Sequence, residues 1–459
     1  MSEASSRGQG RWGRWLSQLH SPVPLPKGTP FEQRLITMGA LLIFAAGLAF
    51  RLFYGHRIRE TFGLIGNRFG QATGIANNLL ENGFYSIDGI HPNVTEEPVY
   101  PVVVAFSQWL PGAPWLSYLL VQIGVAAVGA WAVYRLCVLC GAHRPHALLT
   151  AALFFTHPYL ASQSVAIADT QLFASVLILT VCSWLTLQEH NNVRAALGAG
   201  SCLALCFLTR NTTLVILPAI AVFFLATMWA EGWQGWQNRV RNVALACSVT
   251  LVLVTPWCIR NWQLTDHFMV ATHGTLEFHV GNNSHVYKRL VDNLSVDGME
   301  LDPELELWKL AESRYQPMSP RFSVYFENLH RSKGVDWVIE HPDEFIAMVP
   351  LRLFRMWSWN LNPKFDRYGK LNPNYELKAS ILRVFYIPVT LLAGFAFCVP
   401  VLWNRGTVFC AGILIFFSCA AALLFGFTRL RTPFDIFLII PAVQGALWLS
   451  TRLRERWGS

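Results

Sequence analysis

The chain alternates long apolar runs with short polar breaks, and ten of the runs approach the ~20 apolar residues that a helix needs to cross a bilayer. They lie near 35–54, 114–135, 147–165, 168–188, 195–209, 212–230, 242–259, 381–403, 407–427 and 433–451. Only Arg210-Asn211-Thr212 separates the fifth run from the sixth, which predicts two short helices or one broken one. Two longer stretches between runs are one-sided instead. In 66–82, Phe69, Ile75 and Leu79 recur at helical spacing, which predicts a helix lying in the interface. Within 260–380, the segments 303–315, 323–340 and 343–359 read as amphipathic helices. The last carries Phe345, Met348, Val349, Leu353, Met356 and Trp357, a set that fits a helix resting on the membrane surface. The expected fold is an all-α integral membrane protein of about ten transmembrane helices, with interfacial helices and two long extracytoplasmic loops.

Lys and Arg of short loops collect on the cytoplasmic side of a membrane. Arg7, Arg11, Arg14, Lys27 and Arg34 precede the first run, and Arg135 and Arg144 follow the second. Arg194 follows the fourth, Arg239 and Arg241 the sixth, and Arg405 the eighth; Arg452, Arg454 and Arg456 close the chain. Ten spans put every one of these on one side. Both termini are then expected in the cytoplasm, of a bacterial inner (plasma) membrane, with 55–113 and 260–380 facing outward. The organisation that follows is a cytoplasmic tail (1–34), an N-terminal transmembrane module (35–259) holding the first outer loop (55–113), an outer loop region (260–380) and a C-terminal transmembrane module with a basic tail (381–459). The opening residues are polar, basic and Pro-rich, unlike a secretory leader.

Composition agrees. Of 459 residues only 14% are charged, against about 25% in soluble proteins. The net charge of +8 would suit nucleic acid, yet the basic residues sit in breaks between runs, so membrane lipids and not nucleic acid are expected as partners. Trp109, Trp115, Trp233, Trp236, Trp257, Trp262, Trp357 and Trp359 lie near run ends, as in an interfacial belt. Most of the ten Cys fall inside apolar runs, and Cys137 and Cys140 lack the second pair of a zinc site. His157, before Pro158, has no paired ligand and reads as polar packing. The sequons at Asn93 and Asn293 matter only in a secretory pathway.

Ionisable side chains at a membrane boundary are costly unless paired or used. On the expected outer side, Asp169 stands in the apolar turn between the third and fourth runs. Arg260 and Asn261 end the seventh run, Arg429 and Arg431 occupy the turn before the last, and Glu96 and Glu97 precede Pro98-Val99-Tyr100-Pro101. Each has a structural alternative. Asp169 suits a helix N-cap, Arg429 and Arg431 suit anchors snorkelling to headgroups, and Arg260 suits a helix end. Arg210 suits a partner for a backbone carbonyl at the helix break, and Glu96 and Glu97 suit exposed loop charges.

The block PWCIRN followed by HGTLEFHVGNN (273–283) resembles the "PW..RN … GNN" pattern of bacterial membrane glycosyltransferases of the GT-C superfamily, which includes the protein O-mannosyltransferase and aminoarabinose transferase-like proteins. Further pieces follow in that family's order: "A.NLL..G.Y" from Ala76 to Tyr85, "P.YP...A" over 98–105, "L.LCFLTR" over 203–210, an approximate "W...HP..F......R...FW" over 337–357, and "R.R.P" before the final run. The resemblance covers most of the chain, through order and spacing more than any single piece.

It implies an enzyme that moves a sugar from a polyprenyl-phosphate donor to an acceptor hydroxyl at the extracytoplasmic face, with inversion. A carboxylate would take the acceptor proton and cations would hold the departing phosphate. Carried over residue by residue, Asp169 matches an acidic position after the third span, and Arg260, Arg429 and Arg431, with Arg210, would grip the phosphate. Asn261, Glu277, Asn282 and Tyr100 would line the substrate site. The family usually has an acid just before the interfacial helix, where this chain reads Gly66-Asn67-Arg68-Phe69-Gly70-Gln71. Glu60, Glu96 and Glu97 are the substitutes for that general base. No cofactor is required, a divalent metal is left open, and the acceptor is a lipid, a glycan or a protein. The readings from other classes are a secondary transporter or lipid flippase, and a non-catalytic membrane subunit. Related halves and midplane polar groups would mark a transporter; here the halves look unrelated and the polar groups crowd one face.

Overall fold

Away from water every backbone N–H and C=O must find its partner within its own segment, so the apolar runs are helices. The computed structural model describes residues 29–59, 71–165, 168–230, 233, 235–272, 275–291, 302–359, 375–424 and 428–457. In chain order the helices begin with α1 (Pro30–Ile58), α2 (Gln71–Asn82), α3 (Val99–Trp109), α4 (Pro114–Leu139), α5 (Arg144–Phe155), α6 (Pro158–Gln163) and α7 (Thr170–His190). Then come α8 (Val193–Thr209), α9 (Ile216–Ala230), α10 (Trp236–Thr265), α11 (Thr275–Gly281), α12 (Ser284–Val291) and α13 (Asp302–Glu312). The series ends with α14 (Pro320–Glu340), α15 (Pro342–Trp357), α16 (Tyr375–Cys398), α17 (Arg405–Leu424), α18 (Thr428–Arg431) and α19 (Ile436–Trp457). Eight helices among the described residues are long and apolar enough to cross a membrane, and α3 and α8 are shorter apolar ones. The chain is an all-α integral membrane protein.

Two of the expected runs are interrupted for local reasons. The third is split between α5 and α6 at His157, because Pro158 excludes the helical conformation from the residue before it; His157 has ψ of 117°. The fifth ends at Arg210, which is fully extended (φ −165°, ψ 131°), and a 3₁₀ turn over Asn211–Val215 leads into α9. The side chain of Gln188 donates to Thr227 Oγ1 at 3.3 Å, so α9 runs back beside the end of α7. Arg210-Asn211-Thr212 therefore joins two antiparallel helices.

Glu32 at the start of α1 pairs with Arg454 at the end of α19. The Asn242 amide donates to Asn191 Oδ1 at 2.8 Å, bringing the start of α10 to the end of α7. Helices cross closely where side chains are small: a Cβ on Gly200 of α8 would run into the Ala246 carbonyl of α10, and Thr250 Oγ1 donates to the Gly200 carbonyl at 3.0 Å.

At the opposite end the one-sided segments are helices, with two more, α11 and α12, that periodicity did not suggest. α2 lays buried Ala72, Ile75 and Ala76 against its neighbours. α15 differs from expectation. Met348 packs with Val286, Leu290 and Trp337, and Met356 joins the main core, so the face expected on the membrane lies against protein. Ile346 and Phe354 are its exposed apolar residues. The reason is Arg352, which no burial-blind pattern would turn inward. It is buried and donates to Ala422 O at 3.0 Å, Leu423 O at 3.2 Å and Gly281 O at 2.6 Å. Its fork satisfies the last carbonyls of α17, the negative end of that helix.

α11 meets α14 through two buried imidazoles, His279 and His330, with Nδ1 atoms 2.8 Å apart. One must donate and the other accept. Burial, reinforced by His279, pushes His330 down to about 4, and burial together with Lys333 lowers His279.

Two outcomes follow. Arg352→Met leaves three carbonyls unpaired and is expected to cost about 2–3 kcal/mol, read as a lower unfolding temperature in detergent that Arg352→Lys restores only in part. A histidine whose folded pKa is depressed contributes stability that is complete above the unfolded value near 6.5 and is lost as pH falls toward 4. Hydrogen exchange over 275–291 should accelerate across that window in the wild type and lose this pH dependence in His330→Asn.

Candidate functional site

The loop before α3 is rigid because its own side chains close it. Asn93 Oδ1 accepts the N–H groups of Thr95 (3.2 Å) and Glu96 (3.1 Å), and its amide donates to Thr95 Oγ1 at 2.9 Å. The Asn93 sequon is thus a closed and buried turn. The Tyr85 hydroxyl donates to the Glu96 and Glu97 carbonyls, each at 3.1 Å. From α10, Arg260 lies over the Tyr85 ring (5.2 Å) and the Trp257 ring (4.6 Å) and donates to Asn93 O at 2.9 Å and Asn261 Oδ1 at 2.7 Å.

This loop delivers Glu97 to the break between α8 and α9, where the Asn211 N–H donates to Glu97 Oε1 at 2.9 Å. The extended backbone of Arg210 aims its side chain at the start of α7, where Nε stands 3.3 Å from Asp169 Oδ2. Both partners are partly open, at 18% and 23% exposure. The guanidinium also lies over Phe173, one turn into α7. Beneath are Tyr100 and Tyr118, hydroxyls 3.0 Å apart, the latter accepting from Gln122 at 3.1 Å. Burial, opposed by the Asn211 N–H and reinforced by the negative charges of Glu96 and Asp169, pushes Glu97 up to about 7. A carboxylate poised near neutrality beside an arginine that is itself paired can take up and return a proton.

Of the residues singled out in the sequence, Glu96, Glu97, Tyr100, Asp169, Arg210 and Arg260 therefore gather at one end of the bundle, with Tyr100 buried as a support. Asp169 precedes α7 at its N-cap position without a side-chain capping bond. Asn261 and Asn282 are buried and spent on structure: Asn261 donates to Val270 O at 2.8 Å, and Asn282 donates to Phe278 O at 2.7 Å and accepts from Arg352 at 3.0 Å. Arg431 is 1% exposed and pairs with Asp435 at 3.0 Å while donating to Met356 O at 2.5 Å. Asp435 also takes the Tyr386 hydroxyl and stands 3.3 Å from His157 Nε2. His157 Nδ1 accepts the Leu160 N–H at 3.2 Å, which leaves Nε2 to carry the ring proton toward that cluster. Glu60 and the side chains of Glu277 and Arg429 lie outside the described residues, as does the sequon at Asn293.

Sequence reasoning passed over Asp435, Tyr386, Arg352 and Arg51. Arg431 and Asp435 are four apart, a readable helical pair. Arg51 was visible as a lone charge inside an apolar run. It is buried and donates to Phe155 O at 2.8 Å, Gln171 Oε1 at 3.1 Å and Ser164, tying down both flanks of the turn that presents Asp169. Among the described residues no three His, Cys, Asp or Glu side chains converge as metal ligands would.

A family model described as "Predicted membrane protein (DUF2079)" matches residues 74–313. The match takes in Glu96, Glu97, Asp169, Arg210 and Arg260, and leaves out Arg429 and Arg431. No curated protein matches the sequence. Among solved structures, the apo-state crystal structure of ArnT from Cupriavidus metallidurans is similar at 15% identity with a TM-score of 0.36, over 82% of this chain and 72% of that one. Because the family match spans more than half of its length, the chain belongs to the DUF2079 family of predicted membrane proteins.

Proposed function

We propose that this protein is a glycosyltransferase that moves a sugar from a polyprenyl-phosphate donor to an acceptor hydroxyl at the extracytoplasmic face, with inversion at the anomeric carbon. The observation that carries the reading is Glu97, pushed up to about 7, held by the N–H of the residue after Arg210 and within the field of Asp169, which pairs with Arg210, while Arg260 braces the same loop at Asn93. The ordered pieces from Ala76 through the GNN block, which resemble membrane glycosyltransferases of the GT-C superfamily, support it independently. The distribution of loop Lys and Arg favours an outward orientation for this end.

In the proposed reaction the acceptor oxygen attacks the anomeric carbon and its proton passes to the Glu97 carboxylate. The bond from that carbon to the phosphate oxygen breaks, and polyprenyl phosphate leaves with the electron pair. Arg210 and Arg260 neutralise the charge that grows on the phosphate; a planar guanidinium donates through several N–H groups, so Arg210 can hold Asp169 through Nε and still offer donors. Asp169 fixes that guanidinium and adds to the field that keeps Glu97 basic. Arg431 stays engaged with Asp435 and braces the start of α19.

The test is consumption of labelled polyprenyl-phosphate sugars by the purified full chain with candidate acceptors. Glu97→Gln is expected to lower kcat by about 10²–10⁴-fold, the usual contribution of a general base. The wild-type rate should rise with pH through about 7, because only ionised Glu97 accepts a proton, and that limb should vanish in the variant. Stability should move the other way. A carboxyl whose folded pKa is raised contributes stability that is present at low pH and lost as pH rises through the folded value, so Glu97→Gln should melt no lower than wild type at pH 8. Turnover of no donor, together with an Asp169→Asn strain indistinguishable from its parent, would sink the reading.

A further inference from the structure

A cavity of about 180 Å³ lies between the loop before α3 and helices α13 and α14. One wall is aromatic. Trp308 meets Phe322 edge-on at 4.7 Å and Phe326 at 5.5 Å, and its indole N–H is held by Glu312 at 2.6 Å. The lining also includes Gln71, Asn93, Thr95 and Thr272. Thr272 is the telling one. Its N–H donates to Val94 O at 3.1 Å, but its hydroxyl, on a side chain 8% exposed, has no hydrogen-bond partner. A buried hydroxyl left unpaired costs on the order of 1–3 kcal/mol, which Thr272 would recover by turning its hydroxyl toward a ligand hydroxyl in the cavity.

Size and charge narrow the ligand. A cavity of about 150 Å³ holds a benzene, so this one has room for a single six-membered ring with its substituents. Asp88 and Glu327 both face the space. Although partial burial acts against it, the side-chain and backbone hydrogen bonds of His91 hold Asp88 well below the usual carboxylate range. His91 of the lining is engaged with Asp88 at 2.8 Å. Among the described residues that line the cavity there is no Lys or Arg, which disfavours a phosphate. An aromatic lining combined with hydroxyls and an amide fits a ring with C–H groups on one face and hydroxyls around its edge.

We infer that this cavity binds one neutral or aminated sugar ring. It is a recognition site for the saccharide part of the acceptor, separate from the arginines that would hold the donor phosphate. Only the word acceptor rests on the proposed transfer reaction; the binding stands alone. The backbone joins the two places, since Asn93 and Thr95 line the cavity while Glu97, two residues on, reaches Asn211.

Saturation-transfer NMR on the full chain in detergent tests it, using methyl glucoside, galactoside, mannoside and N-acetylglucosaminide, glucosamine, and glucose 6-phosphate as the anionic comparator. At least one uncharged or aminated sugar should bind more tightly than glucose 6-phosphate. Thr272→Val, which keeps the shape and removes the hydroxyl, and Trp308→Phe, which keeps an aromatic face, should each weaken it about 10-fold, with unfolding temperatures checking the fold. The inference falls if no sugar of the panel binds, if glucose 6-phosphate binds best, or if both cavity variants bind like wild type. Sugar binding without turnover of any donor would remove the transfer reaction and leave the cavity; turnover indifferent to Thr272 and Trp308 would do the reverse.

Discussion

The molecule depends on one break in a helix. Had α8 continued past Thr209, Asn211 would have given its N–H to a carbonyl four residues back and Arg210 would have pointed into a neighbouring helix or lipid. Because Arg210 is extended, that N–H donates to Glu97 and the guanidinium swings to Asp169. A single residue outside the helical region thereby joins three segments that are far apart in sequence. An N–H offered to a carboxylate stabilises its charge, while burial and neighbouring negative charges oppose it. The balance at Glu97 settles near neutrality.

Around that junction the frame is held by buried arginines. Arg51 fixes the α5–α6–α7 turn, Arg352 closes the end of α17, and Arg431 is locked to Asp435 and the end of α15. Each takes several acceptors, most of them backbone carbonyls left over where a helix stops. A charge this deep is costly to bury, and each of these guanidiniums recovers part of that cost through the acceptors it does reach, so they favour one arrangement of helix ends. Lipid offers no competing partners and removes the hydrophobic drive between helices, which makes such polar ties and close crossings such as Gly200 the main source of specificity.

The sequence was most legible where one physical rule acts alone. Apolar length located the spans, and one-sided periodicity located α2, α13, α14 and α15. The Arg210-Asn211-Thr212 interruption was visible as well. Pairing was not. That Arg210 meets Asp169, or that Glu97 meets Asn211, depends on the packing of α3, α7 and α8, which no local pattern encodes. Position relative to the membrane also misled where a charge turned inward. Arg352 lies on a helix that looked fit for the membrane surface and instead draws that helix against α17, and Arg431, which suited a phosphate, is occupied by an aspartate one turn away.

The proposed donor and acceptor would make unlike demands on the region around Arg210 and Arg260. A phosphate needs positive charge with donors to spare, whereas a sugar ring needs hydroxyl partners and an apolar face without strong positive charge. Placed in one undivided pocket these demands would conflict, because the arginines would attract any anion to the ring's place. The closed turn at Asn93 separates them: its carbonyl accepts from Arg260, its side chain is used within the loop, and the carboxylates of Asp88 and Glu327 lie on the cavity side. Glu97 leaves that same turn toward Asn211, so the proposed proton acceptor would stand at the seam between a cationic region and an acidic one. Charge separation on this short length of chain would favour each ligand in its own compartment and disfavour it in the other, which is how specificity is obtained by repulsion as well as by contact.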